Sequence, residues 1–257
     1  MNFFTPERIE KISPLVQDGK PFVFDDGDMR TLHFTAHVVQ SAMRLSAPYE
    51  LVISYTQAMG GLLSLHRAPE HILAVGLGGG SLVKYCYRNL PAARITALES
   101  NADVLALRDQ FMIPPDDARL QILHVDAVPY LAAMAAATAD VILLDGFDAN
   151  GSPQELCSGS FFTDCQRVLR DHGMLIVNMG DDGDNISAMV LHGRAVFGAP
   201  YLWWFMTATE NSHIMIAVHA GKEPGQGACD YPDLCASVLN AGERLGLQLV
   251  FPKPTPP

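Results

Sequence analysis

Two aspartates, Asp145 and Asp148, lie in the run LLDGFDANGSP that begins at Leu143. Carboxylates this close repel each other unless a cation or a shared proton intervenes, and a substrate ammonium would be such a cation. An acid that then takes the amine's proton frees the nitrogen lone pair for attack. A second segment, LAVGLGGGSLVKY from Leu73, runs from an apolar strand through glycines into a helix. At Gly76, Gly78 and Gly80 the missing side chains let backbone N–H groups and a helix N-terminus approach a ligand. This G-x-G-x-G turn fits a dinucleotide and a sulfonium nucleoside equally well. The plainer alternatives are a ligand-free strand–helix turn at the glycines and loop capping by the two aspartates.

Two further acids stand where strands should end. Glu99 lies 19 residues past Gly80; it can accept hydrogen bonds from ribose hydroxyls, or be a solvated strand-end acid. Asp126, in HVDAVPYL, can take an adenine exocyclic amine while Ala127 offers its backbone N–H. Simple N-capping of the next helix is the equal alternative for Asp126. Other groups carry less. His33 and His37 fall in the alternating run TLHFTAHVV, about 13 Å apart along one face, too far to share an ion. Trp203 and Trp204 read as core or edge packing. The five cysteines (Cys86, Cys157, Cys165, Cys229 and Cys235) form no CxxC pair and no zinc spacing, so no metal is expected.

Positioning these groups requires a regular scaffold. Apolar runs predict strands at Ile72–Gly76, Arg94–Glu99, Leu120–His124, Val141–Asp145 and Met174–Met179. Helix-like stretches separate them near Ser81–Asn89, Asn101–Gln110, Ala127–Ala136 and Ser160–Arg170. Such alternation means βαβ units and a parallel sheet, with continuously apolar strands buried on both faces. Asn101 and Asp126 sit at helix N-cap positions, and Gly173 stands where a C-cap glycine would end the Ser160–Arg170 helix. A helix over Asn185–Phe197 and a hairpin of Tyr201–Thr207 with His213–His219, joined by ATENS, should close one sheet edge. A last helix-like segment lies near Asp233–Leu245, before a PKPTPP ending expected to be disordered. Upstream, PFVFDDGDMRTLHFTAHVVQ has a hairpin signature at Asp26-Gly27, and Pro48–His66 has helical apolar spacing.

The expected organisation is a small N-terminal β-hairpin and helix region over 1–68, a nucleoside-binding domain over 69–220 and a C-terminal extension over 221–257. Among 257 residues, Lys and Arg number 17 and Asp and Glu 28, a formal charge of −11 with no basic cluster. That balance argues against a nucleic-acid partner, which needs a basic stripe, and is compatible with cationic small molecules. No run of 18 apolar residues predicts a membrane span, and MNFFTPERIEKISP has no signal-peptide character. Scattered, odd-numbered thiols fit a reducing compartment, so a cytoplasmic protein is expected.

At these motifs the chain resembles the spermidine synthase (polyamine aminopropyltransferase) family, on the class I methyltransferase fold. The resemblance covers roughly Pro69 to His219 and is most specific in LLDGFDANGSPQELCSGSFFTDCQRVLRDHGMLIVN, with its D-x-x-D-x-x-G-x-P loop and Phe161–Phe162 pair. It implies an α/β, Rossmann-like fold: a mostly parallel seven-stranded sheet with helices on both faces, preceded by the small N-terminal hairpin and helix. It also implies that Gly76, Gly78 and Gly80 face the thioadenosine part of decarboxylated S-adenosylmethionine, that Glu99 holds the ribose, and that Asp126 and Ala127 hold the adenine. By the same resemblance Asp145 orients and deprotonates the attacking amine, Asp148 grips the amine, and Gln40 of VVQSAM helps seat the donor. Tyr55 falls near the family's Tyr-His-Glu segment. Two departures stand out. Gly79 occupies the place of an amine-binding Asp, and Tyr55-Thr56-Gln57 lacks the His and Glu.

The expected activity is therefore transfer of an aminopropyl group from decarboxylated S-adenosylmethionine to an amine such as putrescine, with no permanently bound cofactor. One alternative is an S-adenosylmethionine-dependent methyltransferase, since losing an acid from the glycine loop would suit a donor carboxylate. Another is a non-catalytic nucleoside-binding or dimerisation homologue. The family suggests a homodimer, with Pro48–His66 as a candidate contact surface; core packing of that helix is the equal alternative.

Overall fold

The computed structural model describes residues 5–17, 19–66, 68–208, 212–221 and 231–250. Helix α1 (Pro6–Ile12) begins at Thr5, whose side chain accepts the Arg8 N–H. Strands β1 (Phe22–Asp26), β2 (Met29–His33) and β3 (Ser41–Arg44) then form an antiparallel sheet in that order. The expected hairpin is present: Asp26 faces Met29 across a tight turn, with Gly27 at φ 60°. It gains a third strand from the VVQSAM segment. The run TLHFTAHVV is not one strand, because the chain folds back after His33. There the Gln40 N–H reaches the Leu32 carbonyl, and His33 Nδ1 lies 3.0 Å from the Val38 carbonyl. His33 is buried on β2 and His37 exposed in the turn, so the two do not share a strand face as expected.

Helix α2 (Ser54–Leu63) turns its buried residues, among them Ala58, Met59, Leu62 and Leu63, onto the main sheet. After it the chain alternates as the apolar runs predict. In order come β4 (His71–Val75), α3 (Ser81–Asn89), β5 (Arg94–Glu99), α4 (Ala102–Leu105), β6 (Leu120–His124), α5 (Ala127–Ala133) and β7 (Ala139–Leu144). Then follow α6 (Gly159–Val168), β8 (Leu169–Gly180), α7 (Gly183–Phe197), β9 (Leu202–Met206), β10 (His213–Val218), α8 (Tyr231–Arg244) and β11 (Gln248–Leu249). The sheet order is β11-β9-β10-β8-β7-β4-β5-β6, parallel from β8 to β6 and antiparallel from β8 outward. The fold is thus the expected Rossmann-like one, and β11 adds an eighth strand beyond the expected hairpin.

Alternation along each strand sorts the core into two layers. Ile72, Ala74, Ile95, Ala97, Val141 and Leu143 face α2 and α3, whereas Leu73, Val75, Leu98, Ile142 and Leu144 face α5, α6 and α7. Trp203 lies buried in the first layer, as packing rather than a platform. Asn101 and Asp126 cap α4 and α5, each accepting a backbone N–H from the first turn.

Two elements differ from expectation. Asn101–Gln110 is helical only over Ala102–Leu105; beyond it the chain tightens into turns, with Met112 at φ 52°, that bury Phe111 and Ile113. Helix α6 stops at Val168 because Leu169 already pairs with Ala139 in the sheet. Gly173 is therefore no C-cap. It lies within β8, at an irregularity in its pairing with β7, where a Cβ would stand 2.9 Å from the Arg170 carbonyl and 3.0 Å from that of Asp140. The PKPTPP ending and most of the ATENS connection lie outside the described residues.

Candidate active site

Strand β4 pairs with β5 on one side and β7 on the other, so chain connections diverge there and the strand ends leave a crevice. A cavity of about 1120 Å³ opens at that place. Its wall includes Gln40, Tyr55, Gly76, Gly78, Glu99, Asp126, Ala127, Asp145 and Asp148. Nine of the ten residues singled out from sequence thus meet in one space, though they span 109 positions of the chain. Gly80 stands apart. It is the left-handed N-cap of α3, and a Cβ on it would press into Ile113 at 2.6 Å.

The glycine turn serves the protein as much as a ligand. Gly76 has φ 89°, and a Cβ there would collide with the Asp145 carbonyl oxygen. That close approach lets the Asp145 N–H bond the Val75 carbonyl at 2.9 Å, which seats the acid directly over β4. At Gly79 the neighbouring space is already taken. A Cβ would lie 2.6 Å from Ser41 Oγ and 2.7 Å from the Phe111 ring. Phe111 is held in turn by Lys84, whose buried ammonium donates to its carbonyl at 2.7 Å and to Met43 Sδ at 3.1 Å. Burial brings the Lys84 pKa down to about 8.

On the β5–β6 side, Glu99 accepts the backbone N–H groups of Leu77 (3.0 Å) and Asn101 (2.8 Å). Its carboxylate thereby links the end of β5 to the glycine turn. Asp126 accepts the Val128 N–H at 2.9 Å, so it caps α5 while lining the cavity, and the two alternatives for this residue are compatible.

On the β7–β8 side, Asp145 receives two side-chain donors. The Tyr55 hydroxyl lies 3.1 Å from Oδ2 and the Asn178 amide 2.9 Å from Oδ1. Burial raises the Asp145 carboxyl above the usual carboxylate range, and the Asn178 and Tyr55 hydrogen bonds offset only part of that. Asp148 is exposed, accepts the Asn150 N–H at 2.6 Å, and so caps its own turn. Gln40 reaches across from the N-terminal sheet, its amide 3.3 Å from the Asp148 carbonyl. Thr56 and Gln57 face elsewhere, bonding the Ile53 and Leu51 carbonyls.

Sequence reasoning missed Asn178, Glu155, Asp181 and Asp182, all on the cavity wall. The polar residue interrupting MLIVNMG was a usable signal for Asn178; nothing local marked the other three. Seven carboxylates line the space, those of Glu99, Asp126, Asp145, Asp148, Glu155, Asp181 and Asp182, and no described lining residue is Lys or Arg. Such a wall attracts cations and repels anions. Among the described residues no group of three or more His, Cys, Asp or Glu is arranged to hold a metal ion, and no helix is long and apolar enough to cross a membrane.

Comparison with known proteins gives three findings. The family model described as the spermine/spermidine synthase domain matches residues 53–223. A polyamine aminopropyltransferase of Neisseria meningitidis is 38% identical over 158 residues, covering 61% of this chain and 60% of that protein; the chain thus matches less than two thirds of this relative's length. Among solved structures, a probable spermidine synthase from Corynebacterium glutamicum superposes with a TM-score of 0.69 at 18% identity, over 89% of this chain and 86% of that one. A spermidine synthase in complex with the transition-state analogue AdoDATO superposes at 0.60 with 14% identity, over 90% of each chain.

Proposed function

Because this chain belongs to the spermine/spermidine synthase family, we propose that it transfers an aminopropyl group from decarboxylated S-adenosylmethionine to an amine such as putrescine. One observation carries the proposal. An acid with a raised pKa, Asp145, stands at the same crevice as the ribose-type acid Glu99, in a cavity whose described lining holds carboxylates and no Lys or Arg. The substrate ammonium meets Asp145 and gives up a proton to it. The freed nitrogen pair forms the new C–N bond at the carbon beside the sulfonium, and the C–S pair leaves on sulfur as methylthioadenosine. A sulfonium leaves readily, so alignment and a deprotonated nucleophile are what the protein must supply.

Glu99 is the proposed ribose ligand, Asp126 and Ala127 the adenine ligands, and Gly76 and Gly78 the turn under the nucleoside. Asp148 and Tyr55 are assigned to the amine and Gln40 to seating the donor. The acidic wall favours a decarboxylated donor over one bearing a carboxylate, which removes the main support for a methyltransferase. We keep the division into parts at 1–68, 69–220 and 221–257, supported by the separate N-terminal sheet. The family resemblance supports a homodimer, and the free thiols Cys86, Cys157, Cys165 and Cys235 support a reducing, cytoplasmic setting.

The test offers purified protein either decarboxylated or ordinary S-adenosylmethionine, with putrescine. Methylthioadenosine from the first is the expected product. S-adenosylhomocysteine from the second, alone, would overturn the assignment. Sedimentation at the mass of a single chain would remove the dimer.

A further inference from the structure

Resting on the transfer chemistry above, we propose that Asn178 is a positioning residue: it fixes the plane of the Asp145 carboxylate and keeps that acid ready to take a proton from an incoming ammonium. Asn178 sits near the end of β8, beside β7, and is 6% exposed. An amide side chain can be turned either way, and here its surroundings choose. The Gly180 N–H, two residues on, lies 3.1 Å from Asn178 Oδ1. With the oxygen committed there, Nδ2 must face β7, and it stands 2.9 Å from Asp145 Oδ1. The reversed amide would set two donors against each other at Gly180 and an oxygen against a carboxylate at Asp145. Both contacts are repulsive, so one orientation survives.

Gly180 makes this lock by bending back at φ 69°. A Cβ there would come within 2.9 Å of the Phe147 ring, two residues past Asp145 in the same loop. The turn after β8 and the loop after β7 are therefore fitted to each other around the acid. Asn178 takes one oxygen of Asp145 and Tyr55 the other, and each oxygen keeps a second lone-pair direction for substrate. Both donors favour the ionised acid, which is the form that can accept a proton. An apolar residue at 178 would fill the same strand position and remove one of the two.

Asn178→Asp retains an acceptor for the Gly180 N–H but replaces the amide donor by a second acid, whose charge by itself raises the Asp145 pKa. Asn178→Ala, carried alongside, removes both groups. Two readouts are taken on each: the pH profile of kcat, and the 13C-NMR titration of the Asp145 side-chain carboxyl in the ligand-free protein. In either variant the acid limb and the NMR midpoint should move to higher pH by about one unit or more, equivalent to a roughly tenfold loss of rate on the limb. Activity should recover toward the wild-type plateau as pH rises. An unchanged midpoint in Asn178→Ala, which adds no charge, even with lower thermal stability, would leave Asn178 a merely structural residue and overturn the proposal. The NMR titration needs no turnover. A wild-type protein that makes no methylthioadenosine would thus sink the transfer chemistry, while the midpoint would still decide the role of Asn178.

Discussion

The two walls of the cavity are built in different ways. On the β5–β6 side each acid is held by nearby backbone: Glu99 by Asn101 and the glycine turn, Asp126 by the first turn of its own helix. On the β7–β8 side the acid at the centre is held by side chains brought from far along the chain, Tyr55 from 90 residues away and Asn178 from 33. Backbone N–H groups cannot be exchanged by substitution, whereas side-chain donors can. The first wall is thus suited to a ligand part that stays constant, and the second can be retuned residue by residue. The departures from the family pattern, at Gly79, Thr56 and Gln57, line neither wall of the cavity.

The strongest way to break this comparison is Asp145→Asn. If the β7–β8 wall does the chemistry, kcat should fall by roughly 10²- to 10⁴-fold, the usual worth of a general base. Donor binding, followed by calorimetry, should hardly change. Stability should move the other way. The folded-state pKa of Asp145 is raised, so its stabilising contribution is full below the unfolded value and is lost as pH rises through the folded value. Above that folded value the wild type carries a desolvated charge that the amide lacks. The substituted amide can still accept from Asn178 and donate to the Tyr55 oxygen. The variant should gain stability relative to the wild type as pH rises through that folded value, and the gain should vanish in acid. A variant that melts lower at every pH would show that the acid is there for the fold.

On the opposite wall, Glu99→Gln should weaken donor binding by roughly 10- to 150-fold, the loss of a charge-assisted hydrogen bond worth about 1.5–3 kcal/mol. The kcat at saturating donor should stay near wild type. If kcat falls instead and binding survives, the division of labour between the walls is wrong.

The same contrast governs what could be read from sequence. The β5–β6 wall was legible because its logic is local. Arg94–Glu99 and Leu120–His124 are strands with the expected bounds, and Asn101 and Asp126 cap the helices they precede. Asp145 was legible as the end of a buried strand and Tyr55 through the family resemblance, but not that Tyr55 and Asn178 hold the acid. Neither the Tyr55 hydroxyl nor the Asn178 amide carries a spacing that points to it, since only the packing of α2 and β8 brings them together. The Asn101–Gln110 helix failed for a related reason. Its residues favour helix, yet the chain is spent in turns that deliver Phe111 and Ile113 behind Gly79 and Gly80. Gly80 misleads in its own way, because a turn glycine shows that space is needed without showing what fills it.

Gly79→Asp tests the glycine turn that helps hold the first wall. Restoring an acid to the glycine turn looks like a simple reversion, but the added carbon would meet Ser41 Oγ at 2.6 Å and the buried Phe111 ring at 2.7 Å. Overpacking of this kind costs about 1–3 kcal/mol. The melting temperature should then drop by roughly 2–12 °C, with no gain in turnover. A variant as stable as wild type would mean that Ser41 and Phe111 yield easily and that the turn is free to take an acid.

The smallest effect is expected at Gln40, where the N-terminal sheet touches the β7–β8 wall. Its amide bonds the Asp148 carbonyl at 3.3 Å, a long contact between groups open to water. Such a bond contributes about 0.5 kcal/mol, so Gln40→Ala should raise KM for the donor, which Gln40 is proposed to seat, roughly twofold and leave kcat and the KM for the amine alone. Steady-state kinetics with each substrate varied in turn resolves that pattern. A rise confined to the amine would overturn that assignment and give Gln40 to the amine instead. A rise confined to the donor keeps the comparison as drawn: beside Asn178 of β8, the β7–β8 wall takes Tyr55 and Gln40 from outside the strands that bear it.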